Sequence, residues 1–178
     1  MRNPRKSVLL ASILLAGILV LVITAVHLTP VRSAEEGPLS NATVSFGAWM
    51  TSPSLDRFPN VSLAAANHHV LMPREVKIKA GGTVNFIIAG LHQVVVYDDG
   101  TQPGDINTAL TTPTTGTPAG VPLINDPNNR IYRGPDPSLL SRDRVEVVHF
   151  ANPGTYLVIC GVLTHFQQGQ IGFVRVLP

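Results

Sequence analysis

Between Val70 and Pro178 the branched apolar residues fall into short runs. Each is closed within a few residues by glycine, proline or an Asn/Asp-rich break. Glu75 to Lys79 alternates around Val76 and Ile78, and Ala80-Gly81-Gly82 reads as a turn. Thr83 to Ile88 follows, then a break at Gly90, then Gln93 to Tyr97. After a long interval come Arg144 to Phe150, Thr155 to Ile159 and Ile171 to Leu177. Runs of this length and spacing exclude a helical bundle and predict an antiparallel-rich β-sandwich or barrel.

The interval is different in kind. Residues 98–144 hold many prolines and glycines with repeated Thr, Asn and Asp, and read as an irregular insertion, expected as a lid over one end. Its second half carries Arg130, Arg133, Arg142 and Arg144, which are expected on a solvated surface.

The start of the chain is equally distinct. Arg2, Arg5 and Lys6 precede an apolar stretch from Val8 to about Leu28, broken by polar residues only at Ser12, Thr24 and His27. Signal-peptide cores run ~7–15 residues and a span needs ~20. Residues 1–33 therefore read as a signal peptide or an N-terminal membrane anchor. Residues 34–66 read as a linker with room for a peripheral strand over 43–50, and residues 67–178 as the folded domain. The protein is expected to be exported, periplasmic or extracytoplasmic, and held to the inner membrane by residues 8–28 if the leader is uncleaved. Four of the 13 basic residues precede Ala34, which leaves nine against 11 acids in the remainder. With no basic stripe there is no case for nucleic-acid binding, and a monomer is expected.

One stretch carries chemistry. Thr155 to Ile159 delivers the single cysteine, Cys160, to the end of a strand. His165 and Gln170 follow in a Cys-x4-His-x4-Gln pattern before the next strand. A lone cysteine in an exported domain is a liability unless it is buried or liganded. Thiolate with imidazole suits copper or zinc. His92, after the Gly90 break and at the start of an apolar run, supplies a third donor from a second segment. The adjacent His68 and His69 would point to opposite faces of a strand, so at least one is expected at the surface. A second metal site using one of them is a weaker alternative. His149 reads as a core or surface residue.

The region from about Val70 onward resembles the cupredoxins. The resemblance rests on Met72 to Phe86, on Leu91-His92-Gln93-Val94-Val95-Val96-Tyr97-Asp98, and on Gly154 to Gln170, in that order. It implies an all-β, cupredoxin-like Greek-key β-sandwich and one type 1 copper ion held by His92, Cys160 and His165. The ligand loop is most similar to that of stellacyanin among the phytocyanins, where glutamine takes the axial place, and this implies Gln170 as the fourth ligand. The chain departs from the phytocyanins in having one cysteine, with Phe166 where they commonly place a half-cystine. The resemblance further implies a non-enzymatic one-electron carrier. Its partner would be a redox protein such as a cytochrome or copper oxidase, docking on an apolar patch of Leu91, Leu163 and Phe166. Two alternatives stay open: a copper carrier or chaperone, and a mononuclear copper enzyme drawing on Asp105, Asp126 or His149. Paired His-x-His segments are absent, which disfavours a multicopper oxidase.

Overall fold

The long strand β3, Glu75–Ala89, organises the domain. The computed structural model describes residues 38–47 and 69–178, all within one unit, Gly37–Pro178. The leader, Trp49, Met50 and His68 lie outside the described residues. The two strands expected on either side of Ala80-Gly81-Gly82 are one element. Gly81 bends it at φ 78°, a conformation that favours glycine. An added Cβ on Gly82 would lie 2.7 Å from the Ser40 carbonyl oxygen, so the bend also packs backbone on backbone. The strand thereby serves two faces.

The first part of β3 pairs in parallel with β10, Ile171–Leu177. That strand runs antiparallel to β9, Gly154–Cys160, and β9 to β4, Val94–Asp99. The second part of β3 pairs with β1, Leu39–Phe46, and with β8, Asp143–Phe150. The strand expected over 43–50 thus starts four residues earlier. It pairs with β3 and with the short β2, Leu71–Met72, and buries Val44 and Phe46. The result is an all-β sandwich of parallel and antiparallel pairs.

Side chains alternate as the period of two requires. Val94 and Val96 of β4, and Tyr156, Val158 and Cys160 of β9, enter the main core with Phe46, Ile78, Phe86, Val148 and Val174. Val95, Tyr97, Leu157 and Ile159 face the other way. They form a second cluster with Ile106 and Ile124 of the insertion. This double burial explains why Val94–Tyr97 and Leu157–Cys160 are continuous apolar runs.

The insertion covers a sheet face and is built of short elements. A hairpin joins β5, Thr111–Pro113, to β6, Pro122–Ile124. The strand β7, Arg130–Arg133, extends the main sheet beside β4. Single 3₁₀ turns lie at Pro103–Asp105 and Pro137–Leu139. The β6 strand also reaches the ligand loop, where the Ile124 amide donates to the Gly161 carbonyl at 2.7 Å. Among the described residues no helix is long and apolar enough to cross a membrane.

Candidate metal centre

Strand β9 ends at Cys160, and the chain leaves the sheet for ten residues before β10 begins at Ile171. The excursion is closed at its neck, because the Cys160 amide donates to the Gln170 carbonyl at 3.0 Å. Within it lies one short helix, α1, Leu163–Gln167, which holds His165. The Gln170 amide returns to the His165 carbonyl at 3.0 Å. The loop's own backbone bonds therefore set the main chain at Cys160, His165 and Gln170.

His92 comes from the Gly90–Gln93 link between β3 and β4. The Gly161 amide donates to the Gln93 carbonyl at 2.7 Å, which ties this link to the Cys160 loop. The Gln93 side-chain amide donates to the Gly134 carbonyl at 2.7 Å. The His92 ring packs edge-on against Phe46, with centroids 5.8 Å apart. Strand β1 thus forms one wall of the site.

The three donors converge. Cys160 Sγ lies 3.7 Å from the Nδ1 atoms of both His92 and His165, and those two nitrogens are 3.1 Å apart. A triangle with these sides has its centre about 2 Å from each corner, the range in which thiolates and imidazoles hold a first-row metal. Cys160 and His92 are fully buried. Burial, and then the nearby His92 and His69, push the His165 imidazole down to about 2. It therefore stays neutral and offers a lone pair at ordinary pH.

Gln170 is fully buried, and its Oε1 has no hydrogen-bond partner among the described residues. A buried amide oxygen without a partner costs on the order of 1–3 kcal/mol. Such a side chain calls for a partner at its oxygen, and the loop holds it next to the strand that follows His165. A cysteine sulfur with two imidazoles fits copper.

One neighbour was missed in the sequence. His69 is buried and stacks on His165, with centroids 3.7 Å apart and planes 21° from parallel. Its Nδ1 is hydrogen-bonded to Gln168 Oε1. The His68-His69 doublet was the available signal, but nothing in it specifies a partner so distant in sequence. The arginines also divide. Arg142 is exposed as expected, whereas Arg144 is largely buried in an ion pair with Glu146. His149 is exposed on β8, and Asp105 is exposed and accepts from the Gln102 amide at 2.8 Å. Asp126 is buried but accepts from the Asn107 and Asn128 amides at 2.8 and 3.0 Å. Of the expected apolar patch, Leu91 is half-buried, and Leu163 and Phe166 pack on the rim of the second cluster.

No protein-family model matches the chain, and no curated protein matches it in sequence. Among solved structures it is similar to an auracyanin from the photosynthetic bacterium Roseiflexus castenholzii. That match has TM-score 0.47 and 18% identity, and covers 80% of this chain and 100% of the other. It is also similar to a pseudoazurin from Hyphomicrobium denitrificans, with TM-score 0.41, 18% identity and coverage of 76% and 74%. A third is a purple cupredoxin from Nitrosopumilus maritimus, with TM-score 0.37, 14% identity and coverage of 76% and 98%. The sandwich, with its His-Cys-His cluster where β9 ends and β4 begins, is the arrangement that the cupredoxin resemblance implied.

Proposed function

We propose that this chain is a blue-copper electron carrier, with one type 1 copper ion held by His92, Cys160 and His165 and Gln170 as its axial donor. One observation carries the reading: a sulfur and two ring nitrogens from two segments converge in a buried triangle. When bound, copper supplies a Cu(II)/Cu(I) couple. The protein's own part is to keep the donors still while that charge changes. The Gln170–Cys160 and Gly161–Gln93 backbone bonds fix the loop to the His92 segment, and Phe46 backs the His92 ring. Close packing around rigid strands limits rearrangement.

In this reading the chain carries electrons and is not an enzyme; Asp105 and Asp126 already accept backbone amides, and His149 is exposed on β8. The leader would export the domain and, if retained, hold it at the membrane as a monomer. A redox protein such as a cytochrome or copper oxidase would receive the electron near His165, beside Leu163 and Phe166.

The test is a visible absorption and EPR titration of the protein with Cu(II). The expected result is an intense thiolate-to-copper band with narrow hyperfine splitting, both lost in Cys160→Ala. Ordinary tetragonal copper that is indifferent to Cys160→Ala would overturn the reading and favour a copper carrier.

A further inference from the structure

His92 sits in the link between β3 and β4, and its carbonyl has a charged partner. Arg144 Nη2 donates to the His92 carbonyl at 2.5 Å. The same guanidinium donates through Nε to Glu146 Oε1 at 2.9 Å, and its Nη2 lies 2.8 Å from that oxygen. Tyr132 donates its hydroxyl to the other carboxylate oxygen at 3.1 Å. The Arg144 and Glu146 side chains retain only 11% and 9% of their exposure. Space for this chain of groups is built in. A Cβ on Gly134 would meet Glu146 Oε2 at 2.5 Å, so a side chain there would push the carboxylate from its place. Gly134 is also the residue whose carbonyl accepts from Gln93, next to His92. Burial, with Glu146 close by, pushes the Tyr132 hydroxyl up to about 12, which keeps it a donor.

Breaking a buried charged pair usually costs several kcal/mol, and replacing both members with apolar groups is often harmless. A pair aimed at the backbone of a ligand residue has a use beyond stability. We infer that Arg144, held by Glu146 and Tyr132, is a positioning residue that fixes His92 in the donor triangle and sets the local charge there. The inference rests on the copper reading above. The guanidinium beside the His92 peptide disfavours the more positive Cu(II) state, and the Glu146 carboxylate offsets it.

The two charges therefore give shifts of opposite sign, which a purely structural role would not produce. In the copper-loaded protein, Arg144→Met is expected to lower the reduction potential and Glu146→Gln to raise it. Arg144→Met should also speed copper loss to a chelator by roughly tenfold or more, as outer partners of metal ligands typically do. In the copper-free protein, amide hydrogen exchange over residues 90–93 should accelerate. Potentials that stay put, or that move in the same direction, would overturn the inference. If Arg144→Met does not fold, Arg144→Lys keeps the charge and loses the fork. It should then lose copper faster at a nearly unchanged potential, and wild-type retention would count against the clamp. A wild-type protein with no blue band would sink the copper reading alone. The exchange measurement would still decide the clamp, since unchanged protection at 90–93 in the arginine variant refutes it.

Discussion

Gln170 shows how a single side chain can be poised by its surroundings. Its amide nitrogen reaches the Val70 carbonyl only at 3.5 Å, and its oxygen is buried without a partner among the described residues. An amide oxygen is a harder donor than a thioether, and the axial ligand tunes the couple. Gln170→Met is therefore expected to raise the reduction potential, measured by redox titration of the blue band. His69 acts on His165. Its ring covers His165, so His69→Ala should let azide perturb the Cu(II) EPR spectrum at concentrations that leave the wild type unchanged. Cys160 and His165 were legible because they lie in one loop of fixed spacing. His69 and Arg144 were not, because each meets the site across the sandwich.

At the scale of elements, β1 shows how far a weak sequence signal can understate a strand. Phe46 is fully buried and packs edge-on against Phe86, with centroids 6.0 Å apart, and against His92. Phe46→Ala should cost about 3–5 kcal/mol in urea denaturation and loosen the His92 wall. The insertion has its own fastening. Asp136 accepts from Ser138 and Thr115, through both backbone and side chain in each case. Desolvation opposes ionisation, but these bonds outweigh it and lower the carboxyl to about 2 from 3.8. The unfolded chain therefore takes up the proton first as pH falls. The stability from this group is present above about pH 4 and is lost as the pH drops toward 2. Asp136→Asn should flatten that part of the acid-unfolding curve, followed by circular dichroism. Proline and glycine marked this segment as irregular. Its packing on Val95, Tyr97, Leu157 and Ile159 had no sequence period to announce it.

For the molecule as a whole, binding at a site present only in the folded state raises stability in step with ligand concentration. Cu(II) at a hundredfold excess over its dissociation constant should add roughly 2.7 kcal/mol. The matching rise in melting temperature should vanish in Cys160→Ala. By itself the sequence determined the all-β class and the Cys160–His165–Gln170 loop, with His92 as the natural third donor. Strand periodicity and a ten-residue spacing are local properties, and local rules read them. Only the tertiary structure decided that β3 is one bent strand, that Phe46 and His69 wall the site, and that the insertion covers the outer face of the sheet. Arg144, too, took its place beneath His92 only in the folded chain. Those placements depend on contacts between residues far apart in sequence, where burial and hydrogen bonding favour one arrangement and no local propensity distinguishes it.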